Sequence, residues 1–276
     1  MIDNYSVKAF ESGDKRLPSL VCLHGMTGDS NSFWELKEYL IEDFHIILLD
    51  LPGHGGTDPF ELEEDYGFTT LAKWIFKGIH SLVNGTFYIM GHSWGADLAL
   101  HIARSFPDRV EGLVLIDGGF VFPEMVEGYT KEKALSDWKE YIEASKYDSW
   151  DEVTRTYQEY TTKPWNKKLD SIISPNFIKA EDQYILKAHR QSLLATVKAF
   201  YSGPCSTTYK HVECPVLLFH ATIPKKDSSR QKGIRKIKNK LRKIKVIGIE
   251  NTKHNIHWDT PERVASEVRV WRKEMK

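Results

Sequence analysis

Ile89-Met90-Gly91-His92-Ser93-Trp94-Gly95-Ala96 is the stretch on which the fold turns. The apolar run 86–90 leads into Gly-X-Ser-X-Gly, and a helical pattern follows over 96–105. A serine on a tight strand-to-helix turn stands clear of the sheet, open to a histidine on one side and to substrate on another. Gly91 and Gly95 have a steric reason, because larger side chains there would run into the flanking strand and helix. The turn also aims the Trp94 backbone N–H at the point where negative charge would develop, beside the positive end of the helix. An ordinary glycine-flanked turn is the alternative; the strand before it and the helix after it favour a nucleophile.

The same rhythm extends in both directions. Leu20-Val21-Cys22-Leu23-His24-Gly25-Met26 reads as a buried strand ending in His-Gly. Ile46-Ile47-Leu48-Leu49-Asp50 is a second, broken by Pro52 and Gly53. Runs at 110–117, 216–220 and 245–249 follow, alternating with helical patterns, as expected of a parallel sheet covered on both faces. With Lys253-His254-Asn255-Ile256-His257-Trp258-Asp259-Thr260-Pro261-Glu262 near the end, the chain resembles the α/β-hydrolase superfamily, in its serine-nucleophile branch, over most of 17–272. The resemblance implies an α/β fold with a mostly parallel sheet of seven or eight strands and helices on both faces. It also implies a core of 1–119 and 210–276, with a helical lid at 120–209 inserted after the strand that ends at Asp117. The first strand is expected within 5–10, which leaves little room for the family's N-terminal hairpin and favours seven strands.

The 276 residues suffice for one such domain with an insertion. Lysine plus arginine and aspartate plus glutamate both number 38, so no overall field favours nucleic acid or membrane. No apolar run suggests membrane insertion, and three cysteines without a signal pattern suggest reduced thiols and a cytoplasmic location. A monomer or a homodimer is compatible with these features. Residues 225–245 carry eleven basic side chains against one acid, Asp227. Ile234, Ile237, Leu241 and Ile244 give that segment one apolar stripe, as in a surface helix with a solvated basic face.

A serine hydroxyl needs a base. His254, after the strand 245–249 and before the helix start at Pro261, stands where the family keeps its catalytic histidine. His257 is read as a neighbour that packs the loop. The family's usual acid, right after the strand 216–220, is replaced here by Ile223-Pro224. Asp117 closes an apolar strand at the carboxyl edge of the sheet, where some relatives such as the haloalkane dehalogenases keep their acid, and is preferred as the acid. Asp227, also a good helix N-cap, is the alternative. Backbone N–H groups of Met26 and Trp94 are expected to form the oxyanion hole, with Gly25 and Gly28 allowing close approach.

The lid is rich in aromatics, most of which are read as packing. Phe120, Phe122, Met125 and Trp138, with His24, are expected to line an apolar substrate pocket, while His24 itself is read as holding its loop by hydrogen bonding more than taking part in chemistry. Glu124, Glu127, Glu132, Asp137, Glu140 and Glu143 are expected to face solvent. The loop Asp50-Leu51-Pro52-Gly53-His54-Gly55-Gly56-Thr57-Asp58 is read as structural. No metal motif, phosphate loop or dinucleotide fingerprint occurs, so neither metal nor cofactor is expected. A serine at the elbow points to a Ser-His-Asp hydrolase, with a small or medium apolar carboxylic ester as the leading small-molecule acyl substrate. Carbon–carbon bond hydrolysis, or a ligand-binding signalling regulator that retains the triad, are the alternatives.

Overall fold

In the computed structural model, which describes residues 1–203 and 205–275, ten strands form two sheets. The main sheet contains β1 (Ala9–Ser12), β2 (Ser19–Leu23), β3 (His45–Leu49), β4 (Phe87–His92) and β5 (Val110–Ile116). The strands β6 (Lys146–Tyr147), β7 (Phe177–Ala180) and β8 (Gln183–Leu186) form a second sheet, and β9 (Val216–Ala221) and β10 (Ile244–Ile249) return to the first. The seven-stranded order is β1-β3-β2-β4-β5-β9-β10, parallel except for β1, which pairs antiparallel with β3 at the edge.

The helices are α1 (Trp34–Leu40), α2 (Phe68–Leu82), α3 (Trp94–Ser105), α4 (Lys131–Ala144), α5 (Trp150–Gln158), α6 (Lys167–Ile173), α7 (Arg190–Ser202), α8 (Ser228–Lys240), α9 (Ile256–Asp259) and α10 (Pro261–Glu274). The continuous apolar runs of β2 to β5 are explained by burial on both faces. Val21, Leu23, Ile89, Leu113 and Leu115 pack with α2 and α3, whereas Leu20, Cys22, Met90, Val114 and Ile116 pack with α1 and α10. Alternate side chains thus enter opposite cores, as the pleat requires. Every strand from β2 to β5, and β9 with it, ends at the same edge, where Gly25, Ser93, Asp117 and the loop after Ala221 emerge.

Two expectations need correction. Strand β1 begins at Ala9 instead of Tyr5, because Tyr5 is used in an isolated bridge with Ile2. The segment between β5 and β9 is not helical throughout: β6, β8 and β7 form a three-stranded antiparallel sheet among α4 to α7. The β7–β8 turn uses Glu181 at φ 53°, a left-handed position usually announced by glycine or asparagine, so the hairpin carries no turn signal in the sequence. The basic segment supplies α8, whose Ile237 is buried while Asp227 caps its N-terminus; the helix ends at Lys240, so Ile244 of the expected stripe opens β10 instead.

Candidate active site

Ser93 lies between β4 and α3 with φ 52° and ψ −121°, backbone angles that cost a non-glycine residue about 1–3 kcal/mol. Surrounding contacts hold it there. Ser93 N donates to Ile116 O (2.9 Å), and Ala96 N donates back to Ser93 O (2.9 Å). A Cβ on Gly95 would come within 2.1 Å of Leu23 O, and one on Gly91 within 2.3 Å of Gly95 O, so strand and helix meet at backbone contact. Gly25 allows a second close approach, since its Cβ would lie 2.9 Å from His92 Nδ1 and 3.1 Å from Ser93 Cβ. The loop bearing Met26 is thereby laid against the serine. Among the described residues, no hydrogen bond uses the backbone N–H of Met26 or Trp94, and both residues border the cavity in front of Ser93.

His254 Nδ1 is 2.8 Å from Asp117 Oδ2. A carboxylate can only accept, so Nδ1 donates, and the neutral tautomer that makes this bond carries its lone pair on Nε2. Asp117 Oδ1 accepts from Ala221 N (2.9 Å), which fixes the carboxylate plane. Asp117 itself sits at φ 44°, and its own N donates to Phe219 O (2.9 Å), turning its side chain across the top of β9. Asp227 does different work: its Oδ1 caps α8 by accepting from Arg230 N (2.9 Å).

The loop around His254 is tied to the insertion by its neighbours. Lys253 Nζ donates to Glu159 O (2.7 Å) and Asn255 Nδ2 to Tyr160 O (3.2 Å). The buried Asp259 carboxylate accepts from Thr161 Oγ1 (2.6 Å), Thr162 N (2.8 Å) and Lys253 N (3.1 Å). His257 faces away from Ser93 toward Ser32 Oγ (2.8 Å) and stacks on Phe33; burial, with repulsion from His254, pushes its imidazole down to about 3.

No sequence pattern marks His92, which packs between His254 and His257 at ring distances of 4.8 and 4.5 Å. Burial first, then repulsion from those two rings, holds it well below the usual imidazole range, so it is neutral. Its Nε2–H donates to His254 O (3.1 Å), anchoring the backbone that carries the histidine.

Two cavities meet at Ser93. The larger, about 420 Å³, runs under the insertion and is walled by Trp138, Tyr141, Tyr157, Tyr160, Phe200 and Trp258. The second, about 390 Å³, includes Asp117, Phe120, Asp227 and Arg230. Of the expected pocket residues, Trp138 lines the larger cavity and Phe120 the smaller; Phe122, Met125 and His24 line neither. Phe122 is buried against Tyr209, beside Lys236. His24 is fully buried, accepting from Leu51 N at Nε2 (2.9 Å) and donating from Nδ1 to Gly25 O (2.8 Å), so it braces the loop. Asp137 is not wholly solvent-facing: it is half-buried and borders the larger cavity, whereas Glu127, Glu132, Glu140 and Glu143 are exposed. The Glu124 side chain lies outside the described residues.

His54 is buried, donating from Nδ1 to Pro52 O (3.0 Å), and Asp50 accepts from Ser30 N (2.8 Å) and Gly56 N (2.7 Å), which makes that loop a brace. Among the described residues, no group of three or more His, Cys, Asp or Glu side chains is placed to hold a metal, and no helix is long and apolar enough to cross a membrane.

A parallel sheet with a strained serine between its central strand and helix defines the α/β hydrolases. The chain belongs to the alpha/beta hydrolase fold family, whose model matches residues 18–156. It is 22% identical over 271 residues, 98% of its length and 95% of the relative's, to an (E)-2-((N-methylformamido)methylene)succinate hydrolase of Acinetobacter baylyi. It is 30% identical over 105 residues to a human serine hydrolase-like protein, covering 38% of this chain and 52% of that one. The crystal structure of E-2-(acetamidomethylene)succinate hydrolase superposes with a TM-score of 0.78 at 20% identity, over 98% of this chain and 96% of that one.

Proposed function

We propose that the protein is a serine hydrolase that cleaves an uncharged, largely apolar acyl compound through an acyl-enzyme, with a carboxylic ester as the leading substrate. The observation that carries this reading is the His254 Nδ1–Asp117 Oδ2 bond of 2.8 Å, formed beside a strained Ser93 that opens on the same cavity as His254. In this mechanism His254 Nε2 takes the Ser93 hydroxyl proton as Oγ attacks the carbonyl carbon. The Met26 and Trp94 amides hold the resulting oxyanion. His254, now charged and steadied by Asp117, gives the proton to the leaving group, and water then repeats the cycle on the acyl-enzyme. The segment 120–209 acts as the lid that shapes the cavity and excludes water.

The aromatic wall supports an apolar acyl or alcohol group. No lysine or arginine is among the described lining residues of the larger cavity, whereas Arg230 borders the smaller one. A second reading, cleavage of an amide or carbon–carbon bond by the same residues, is favoured by the succinate hydrolase among its relatives. The test is intact mass after fluorophosphonate treatment of wild type and Ser93→Ala, followed by a screen of esters, amides and diketones. One adduct on wild type, absent from the variant, supports the reading. A folded protein that takes no adduct overturns it, and single turnover with retained product moves the protein to the receptor class.

A further inference from the structure

The formal net charge of zero conceals an uneven distribution. Residues 225–245 hold eleven of the 38 basic side chains and one of the 38 acidic ones, so acids outnumber bases in the rest of the chain. Lys225 and Lys226 are exposed just before α8, and Lys232, Arg235 and Lys238 are exposed along it at three-residue steps, in one row. Lys240, Arg242 and Lys243 extend the exposed series past the end of the helix. Among the described residues none of these is in an ion pair, whereas Arg230 pairs with Asp227 and Lys245 with Glu274. Like charges one turn apart weaken a helix, and an opposing anionic surface relieves that repulsion.

This basic face adjoins an opening to the nucleophile. Arg230 donates to the carbonyls of Pro224 (2.8 Å) and Ile223 (3.1 Å), which holds the loop bearing Lys225 and Lys226 against α8. A Cβ on Gly233 would lie 2.2 Å from Phe120 O, so the helix meets the segment after Asp117 at backbone contact. Val121 and Pro224 line the smaller cavity and are also exposed, which sets them at its mouth; Ser93 and His254 stand at its inner end. Val126, from the same segment, is 41% exposed. Cations beside exposed valines at a cavity mouth supply the two signals, electrostatic and apolar, that together hold a protein on a bilayer surface.

We infer that α8 and the loop 223–226 dock on an anionic phospholipid surface, with Val121 and Val126 turned toward the acyl boundary and the smaller cavity opening onto the lipid. Lysines outnumber arginines in the exposed set, and lysine is depleted from protein–protein interfaces. The helix carries no aromatic side chain on which a base could stack, which disfavours single-stranded nucleic acid. The docking itself is independent of the chemistry at Ser93; that the mouth delivers an amphiphilic acyl substrate to the serine rests on the hydrolase reading.

The experiment is cosedimentation of the full chain with phosphatidylcholine vesicles and with mixed phosphatidylcholine–phosphatidylserine vesicles. Wild type and Ser93→Ala should both bind the mixed vesicles, and added salt should weaken that binding. Lys232→Gln, Arg235→Gln and Lys238→Gln together should lower the partition about hundredfold, at about fivefold per cation. The same charge change at exposed Lys73, Lys139 and Lys179, in α2, α4 and β7, should leave the partition near wild type. A long-chain p-nitrophenyl ester carried in mixed vesicles should be cleaved faster than in phosphatidylcholine, and the α8 variant should lose that difference while cleaving p-nitrophenyl acetate as wild type does. Salt-sensitive docking without turnover or fluorophosphonate labelling would sink the serine reading and leave the docking face standing. No binding to mixed vesicles, equal loss in both triple variants, or capture by a duplex oligonucleotide in place of the vesicles would overturn the docking face and leave the serine reading intact.

Discussion

Replacing Asp117 by asparagine tests the assignment of the acid at the level of single atoms. Oδ1 of Asp117 is committed to the Ala221 N–H at 2.9 Å, so the oxygen of an asparagine must take that place. Its NH2 group then faces His254 Nδ1, which in the wild type donates to Oδ2 at 2.8 Å. Two donors cannot pair, so the ring turns over its tautomer: Nδ1 accepts, and the proton moves to Nε2, the atom that must receive the serine proton. The reverse amide orientation sets NH2 against the Ala221 N–H and is also unfavourable. A wrong tautomer in a serine triad costs about ten-thousandfold in turnover, or about 5.5 kcal/mol of barrier. Asp227→Asn is the control, because asparagine caps a helix as well as aspartate does. The assay is the rate of fluorophosphonate labelling of Ser93 with turnover of a p-nitrophenyl ester, on proteins matched for thermal melting. Asp117→Asn within about tenfold of wild type, or an equal loss in Asp227→Asn, would refute the reasoning.

Asp259→Asn should lower stability by about 1–3 kcal/mol in urea titration, since NH2 would meet Lys253 N–H, and should also slow Ser93 labelling by loosening the His254 loop. Gly95→Ala should lower the urea midpoint markedly, because its Cβ meets Leu23 O at 2.1 Å; an unchanged midpoint would mean the elbow yields easily. Acid should destabilise the fold. His54 and His257 are held near 3 and His101 near 4 by burial, and His92 is also depressed, all below an ordinary value of 6.5. Their neutral forms favour folding above pH 6.5, and this is lost as pH falls toward the folded values, by up to about 1.4 kcal/mol per pH unit for each. Asp29, raised by burial and the nearby Asp50 to about 6, works in the opposite sense alone. Unfolding free energy that stays level from pH 7 to 5 would contradict the neutral histidines.

The main sheet was legible because parallel strands buried on both faces leave continuous apolar runs, such as Ile46 to Leu49, that few other elements produce. The elbow was legible because backbone crowding demands glycine at 91 and 95. Asp117 could be preferred over Asp227 because some relatives in the family keep their acid at the end of this strand and because an apolar strand ending in aspartate needs a partner. The small sheet in the insertion was not legible: its strands have four residues or fewer, and its turn lacks glycine. His92 was not legible because its part is a single bond to the His254 carbonyl, a contact with no sequence pattern.

The cavity wall was misread for a related reason. Tyr141, Tyr157 and Tyr160 carry the same amphipathic pattern whether their rings fill a core or face a ligand, so periodicity assigns them to packing. What distinguishes them is that all three border the cavity in front of Ser93, which only the three-dimensional arrangement reveals. That wall is also bonded to the loop carrying His254 through Lys253, Asn255 and Asp259. A substrate that packs against this wall therefore braces the same segment that carries His254. Preference for such a substrate should then be expressed in kcat as well as in KM, since binding far from the carbonyl is used to hold the reacting groups in place.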